Sequence, residues 1–214
     1  MKALAIGDLH GNVALALDLA QRERPSILLS TGDWGDPGQV AAANMERLTG
    51  VCYVLTVYGN HDDLPLLVSL RNADGSPVLL AGRREVSGLS VAGISGIWAK
   101  SHRQPHYVTD EDVDAAAAEV AGGGPVDVLL THGCPIGVCD QTSSGRHGGQ
   151  RCFLDAAERI RPRLHLCGHL HLAQHRSLRD GRQVANTGFG LRGDYCIIEW
   201  ADGAPRVAFF NAAQ

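Results

Sequence analysis

Five short polar blocks in this chain carry residue types that can hold metal ions. They are Asp8-Leu9-His10, Gly32-Asp33, Gly59-Asn60-His61-Asp62, Thr131-His132-Gly133 and Gly168-His169-Leu170-His171. A carboxylate has two oxygens and can bridge two cations; an amide oxygen and a neutral imidazole nitrogen are ordinary metal donors. Asp8 and His10 are two residues apart, as are His169 and His171. On extended backbone such pairs point the same way and form a clip. Gly32 and Gly59 give the chain room to turn and a ligand room to approach. One Asp-x-His is easily accidental. Five blocks in order, each where an apolar run meets a loop, predict one two-metal site along a sheet edge.

The runs before these blocks read as buried strands. Residues 2–6, 27–30 and 53–57 are strands separated by helical patterns, one capped by Asn12 with Val13, Ala16, Leu17 and Ala20 on its apolar face, another over 38–49 stopped by Gly50. This β-α-β-α-β order predicts parallel strands with crossover helices. Residues 77–98 read as short antiparallel strands between glycines. Thr109 and Asp112 form a capping box for a helix with Val113, Ala116, Ala117 and Val120 inward, broken at Gly122–Pro125. Residues 127–131 are a strand, 133–149 a long loop, 150–160 a helix and 164–167 a strand. The tail over 174–210 reads as three short strands, with turns at Asp180-Gly181, 188–193 and Asp202-Gly203.

Composition narrows the function classes. With 214 residues and 44% hydrophobic content, the chain is expected to be one domain, 1–214, with a sizeable core. Aromatics are only 5%, so aliphatic residues must carry that core. A net charge of −4 without a Lys/Arg run argues against a nucleic-acid partner. No apolar run is long enough to span a bilayer, so no membrane is expected. A cleavable leader would carry away Asp8, so none is expected either. Six irregularly spaced cysteines read as reduced thiols of a cytoplasmic protein. Cys134 and Cys139 lack the second pair that a zinc knuckle needs.

The blocks closely resemble the calcineurin-like metallophosphoesterases, whose pattern is D-x-H, G-D, G-N-H-[DE], H and G-H-x-H. All five are met in order over residues 8–171. Asn186-Thr187-Gly188 imperfectly echoes the family's Asn-Pro-Gly segment. The resemblance implies an α/β fold, a four-layer α/β/β/α sandwich of two mixed sheets flanked by helices. It implies that Asp8, His10, Asp33 and His171 bind one metal and that Asp33, Asn60, His132 and His169 bind a second, with Asp33 as the bridge. His61 would donate a proton or hydrogen bond to the phosphate or leaving oxygen, and Asp62 would orient His61. The cofactors implied are two divalent transition-metal ions, manganese first, with iron, zinc, cobalt or nickel as alternatives; mixed N/O ligands suit these better than magnesium or calcium. Two cations against two carboxylates leave roughly +2 by formal count, a site for a phosphate anion. Cations about 3.5–4 Å apart can share a hydroxide nucleophile and clamp the phosphoryl oxygens.

The expected activity is hydrolysis of small phosphodiesters, cyclic nucleotides or nucleotide-like diesters. Thr131-His132-Gly133-Cys134-Pro135 with Gly137 and Asp140 is similar to the small cyclic-nucleotide-type phosphodiesterase branch. His61 keeps a proton donor for poor leaving groups, so a phosphomonoesterase or protein phosphatase is the alternative. A non-catalytic scaffold on the same fold is the second, although every ligand position is filled. Arg146 and His147, in the loop after His132, are candidate substrate contacts; the plainer reading is a solvated glycine-rich loop. Residues 98–107, with Trp98, Lys100, His102, Arg103, His106 and Tyr107, read either as a lid or as a polar connection. Asp36 is either a group behind the metals or a helix N-terminal acid. Trp34 either stacks on a base or fills the core. His102, His165 and His175 read as structural.

Overall fold

The computed structural model describes every residue except 202 and 214. In chain order the elements are β1 (Lys2–Ile6), α1 (Val13–Glu23), β2 (Ile27–Ser30), α2 (Ala42–Val51), β3 (Tyr53–Thr56), α3 (Leu64–Ser69), β4 (Gly82–Val86), β5 (Leu89–Ile94), β6 (Ile97–Trp98), β7 (Tyr107–Val108), α4 (Asp110–Gly122), β8 (Val128–Thr131), α5 (Arg151–Ile160), β9 (Leu164–Cys167), β10 (Gln174–Ser177), β11 (Gln183–Asn186), β12 (Asp194–Ala201) and β13 (Ala204–Asn211).

Two mixed sheets form, in the orders β13-β12-β1-β2-β3 and β10-β11-β9-β8-β5-β4. In the first, β1, β2 and β3 run parallel and β12 pairs antiparallel to β1. In the second, β11, β9, β8 and β5 run parallel, with antiparallel strands at both edges. Alternation along the strands explains the layers. Ala3, Ala5, Leu29 and Leu55 of the first sheet meet Val91, Leu130, Leu166 and Ala185 of the second in one central core. Leu4, Ile6, Leu28 and Val54 face the other way, onto α1, α2 and α3. Ala92, Ile94 and Leu129 face α4 and α5. Strands covered on both faces read as near-continuous apolar runs, as these do. The result is the expected α/β/β/α sandwich.

Several local expectations shift. Asn12 precedes α1, but its side chain makes no capping bond. The helix expected over 38–49 runs instead from Ala42 to Val51 and passes through Gly50. Residues 37–39 are a turn, and Gly50 faces open space inside the last turn rather than ending the helix. The short α3 escaped notice; Asp63 caps it by accepting from the Leu66 N–H. The Thr109–Asp112 capping box forms. The tail holds four strands, not three, because β12 and β13 make a long antiparallel pair that returns to the first sheet beside β1. Of its expected turns, the one at Asp202-Gly203 falls partly outside the described residues. Trp34 is buried in the core with its indole N–H on Thr56 Oγ1 at 2.9 Å, which excludes stacking on a base.

Candidate metal centre

The C-terminal ends of β1, β2, β3, β8 and β9 deliver the five blocks, and in open α/β sheets that edge is where ligands bind. The loops there are tied to one another by backbone. Asp8 N–H donates to Gly32 O at 2.9 Å, His10 N–H to Asp33 O at 3.0 Å, and Gly35 N–H to His61 O at 2.9 Å. Gly168 N–H donates to His132 O at 3.0 Å.

The two D-x-H-type clips do not work through extended backbone. Asp8, His10, Asp33, His169 and His171 all have φ between 44° and 68°. They make up five of the nine non-glycine residues with positive φ among the described residues. Asp and His tolerate this region better than bulky residues, yet the conformation is strained, and such strain concentrates at functional sites. Left-handed turns bring Asp8 and His10 to one group with His171, and set His169 beside His132.

Asp8 and Asp33 are buried. The His169 N–H donates to both Asp8 oxygens at 3.0–3.1 Å. His61 N–H donates to Asp33 Oδ1 at 2.8 Å. That leaves Asp33 Oδ2 between two imidazoles, 3.5 Å from His132 Nε2 and 3.9 Å from His10 Nε2. His132 Nδ1 donates to Thr31 O at 2.8 Å, which leaves its Nε2 as the open donor atom, 3.2 Å from Asn60 Oδ1. His171 Nε2 lies 3.2 Å from Asp8 Oδ1 and 3.3 Å from His10 Nε2. His169 stands beside His132, with ring centroids 5.1 Å apart. The tightest groups, with one donor atom per residue within 4.8 Å, are Asp8 with His10 and His171, and Asp8 with Asp33 and His132. Asp8 therefore touches both groups, while Asp33 Oδ2 spans the histidines of the two halves.

This donor set fits divalent cations. Two buried carboxylates face one another's neighbourhood, and among the described residues no Lys or Arg pairs with either; only histidines do. Uncompensated buried charge is costly. Gly59 is also part of the cradle, since a Cβ there would run into Asp33 Oδ1 and the His132 ring.

Burial and neighbouring charge set the ionisation of these groups. Burial pulls His10 down, against Asp33 and Asp8. Burial, with His132 beside it, pulls His169 down to about 4. Burial also acts to lower His132, but Asp33 and Asp8 outweigh it and the net direction is up. Low values keep imidazole neutral, the form that binds metal.

Asp62 and His61 depart from the expected relay. Asp62 is buried and accepts from the backbone N–H groups of Asp33, Trp34 and Gly59 at 2.7–2.8 Å. Burial raises it to about 7, and Asp33 adds to that, while those three donors oppose it. It therefore holds the second and third blocks together. The His61 ring is met instead by Asp36, with Nδ1 and Oδ1 3.0 Å apart. His61 is half-exposed, its ring 5.1 Å from that of His10.

The other candidates scatter. His147 pairs with Asp140 at 2.7 Å in a groove with Gln174, His175 and Arg176, lined by none of the seven ligand positions. Arg146 lies exposed in the turn before it. Over residues 97–108 the short strands β6 and β7 pair in parallel at the two ends of a loop, forming a ribbon, and His106 Nε2 reaches Asp62 O at 2.8 Å. Cys134 and Cys139 are buried and unpaired, Cys134 donating to Gly168 O and Cys139 to Val184 O.

The sequence reading missed Phe189, which stacks on His171 at 4.1 Å and stands edge-on to His10. Its only signal is position, directly after Asn186-Thr187-Gly188. Asn186 binds Gly168 O, and Thr187 Oγ1 lies 3.1 Å from Thr31 Oγ1.

A family model described as calcineurin-like phosphoesterase matches residues 1–173. The chain belongs to the calcineurin-like phosphoesterase family. No curated protein matches it. Among solved structures, TT1561 of Thermus thermophilus is similar at a TM-score of 0.75 and 14% identity, covering 98% of each chain. A dimetal phosphatase from Danio rerio is similar at 0.62 and 11%, covering 99% of this chain and 96% of the other. Vps29 of Entamoeba histolytica, complexed with zinc, is similar at 0.52 and 13%, covering 99% of both. At these identities the likeness extends to the fold. Family and donor set together make this calcineurin-like phosphoesterase a chain with an Asp/His site suited to divalent metals, and a phosphoric ester hydrolase by family.

Proposed function

We propose that this calcineurin-like phosphoesterase hydrolyses small phosphodiesters, nucleotide-like or cyclic, with two divalent metal ions. The observation that carries the reading is Asp33. Its Oδ1 is engaged by the His61 N–H, and its Oδ2 faces histidines of both halves of the site without a basic partner. Asp8, His10, Asp33 and His171 would hold one cation, and Asp33, Asn60, His132 and His169 the other. Such a pair supplies a water-derived nucleophile at neutral pH and offsets charge on the phosphoryl oxygens. Nitrogen and oxygen donors favour manganese, iron, zinc, cobalt or nickel, and we take manganese first.

The chain's own residues do the rest. Asp36 engages His61 Nδ1, so in the imidazolium form the Nε2–H is free to give its proton to the leaving oxygen. Asp62 fixes the loops that carry Asp33 and Asn60. Phe189 sets the plane of the His171 ring. A diester monoanion needs less added positive charge than a monoester dianion, and no Lys or Arg among the described residues pairs with the site carboxylates. Six buried, unpaired cysteines support a reducing, cytoplasmic setting.

The test is a panel after chelator treatment and addition of Mn²⁺: bis-p-nitrophenyl phosphate, p-nitrophenyl phosphate, 2′,3′- and 3′,5′-cyclic nucleotides and single-stranded DNA. The diesters should turn over fastest. No turnover of any member would overturn the enzymatic reading and favour a scaffold. One observation favours the monoester alternative: the Arg192 guanidinium lies 5.5 Å over the Phe189 ring, the ring that stacks on His171. Under that reading p-nitrophenyl phosphate is the faster substrate, and Arg192→Ala slows it selectively.

A further inference from the structure

A pocket of about 290 Å³ opens beside the metal centre, lined by Asn60, His169, Ile97, Trp98, Ala99 and Tyr107. Its two walls differ in kind. Asn60 and His169 are candidate ligands of the same cation, so that wall is where a phosphate would be held. The opposite wall is aromatic and aliphatic, contributed by the β6–β7 ribbon.

That ribbon is braced rather than loose. Ile97 N–H donates to His106 O at 3.0 Å and Ala99 N–H to Val108 O at 2.9 Å. The Trp98 indole N–H donates to Asp110 Oδ1 at 2.8 Å, which fixes one edge of its ring. His106 ties the ribbon to Asp62 O, two residues after Asn60. At Gly96 a Cβ would lie 2.7 Å from Val108 Cγ1, so the two strands approach closely there. Trp98 and Tyr107 nevertheless remain only partly buried. Aromatic residues held in place and left partly open, next to a phosphate-binding wall, are the elements of a stacking platform. The volume lies at the small end of ligand pockets, which run from about 300 Å³ upward. One ring system fits it better than a peptide or an oligonucleotide.

We propose that the group esterified to phosphate is a flat aromatic ring system seated against Trp98 and Tyr107 in this pocket. The inference deepens the phosphoesterase reading and rests on it for the phosphate subsite. It assigns Ile97, Trp98, Ala99 and Tyr107 to specificity, as a fixed wall.

The experiment uses ligands without an ester bond, so binding is read apart from turnover. Phenylphosphonate and methylphosphonate are titrated calorimetrically into the Mn²⁺-loaded protein, and into Trp98→Ala and Trp98→Phe. The wild type should bind the phenyl compound about tenfold more tightly, near the usual worth of one stacking contact. Trp98→Ala should lose that preference, and Trp98→Phe should keep most of it. Equal affinity of the wild type for both compounds, no binding of either, or a preference untouched in Trp98→Ala overturns the proposal. Adenosine 5′-phosphonate, added as a third ligand, separates a purine from a single ring. Tighter binding than phenylphosphonate identifies a nucleobase, weaker binding identifies an aryl ester, and either supports the pocket if Trp98→Ala removes the gain over methylphosphonate. Aromatic preference without hydrolysis of any ester leaves the pocket standing and sinks the enzymatic reading; hydrolysis without the preference does the reverse.

Discussion

At the scale of single residues, His61 and the two acids near it separate three roles. His61→Ala should keep both metals but slow turnover by about 10²- to 10⁴-fold, the usual worth of a general acid. Metal content by elemental analysis, set beside kcat, checks this; unchanged rates on both an activated aryl diester and a cyclic nucleotide would remove the donor role. Asp36→Asn should show a weaker version of the same defect, because Asp36 meets the ring that does the work. Asp62→Ala should behave differently. It strands three buried N–H groups, each costing on the order of 1–3 kcal/mol when unpaired. Its signature is therefore a lower urea midpoint, with activity lost through the loops. Asp33→Asn should lose metal and activity together, since both of its oxygens are engaged at the centre. An Asp33→Asn protein that still binds two metals would sink the bridging assignment.

At the scale of elements, the site depends on how loops at the strand ends abut. Gly59 illustrates this, since any side chain there enters the space of Asp33 and His132. Gly59→Ala should weaken metal binding in a calorimetric titration while far-UV circular dichroism stays native; an unchanged metal affinity would show that the loop yields cheaply. Much of this level was legible beforehand. Strands buried on both faces announce themselves as unbroken apolar runs, and the Thr109–Asp112 box marks a helix start by local chemistry alone. What escaped was decided by tertiary contact. Asn12 looks like a cap, but the chain before α1 is already bonded to the second loop through Gly11 N–H and Trp34 O. Gly50 looks like a helix stop, but α2 packs through Met45 and Leu48 and continues past it. The clips at Asp8–His10 and His169–His171 were found by their spacing, although positive φ and not extended backbone aims them. Phe189 is marked only by its place after Asn186-Thr187-Gly188, and Asp36, open to reading as a group behind the metals, carries no local sign that it meets His61. Phe189 reaches His171 only because the tail returns to the first sheet, and Asp36 reaches His61 only because the second and third loops meet.

At the scale of the whole molecule, the outer face of the second sheet buries beside α5 a histidine that the chemistry does not use. His165 sits on β9 and is fully buried, with Nε2 2.8 Å from Thr131 Oγ1. The Thr131 hydroxyl donates to Gly133 O at 2.7 Å, so it must accept from His165, which places the ring proton on Nε2. Nδ1 is then a bare acceptor, and it has no partner among the described residues. Burial, with a smaller push from Arg182, drives the ring down to about 3. In the unfolded chain the same ring titrates near the ordinary value of about 6.5. Below that pH the unfolded state takes up a proton that the folded state refuses. The stability held by a neutral His165 is therefore complete above about 6.5 and falls with decreasing pH until about 3, at up to roughly 1.4 kcal/mol per pH unit. Urea midpoints of the metal-free protein, measured between pH 7 and 4, should decline more steeply for the wild type than for His165→Phe, which fills similar space and cannot titrate. Every other group is common to both proteins, so the difference between the two slopes isolates His165. Parallel slopes would mean that the ring is charged, or reached by water, within the fold.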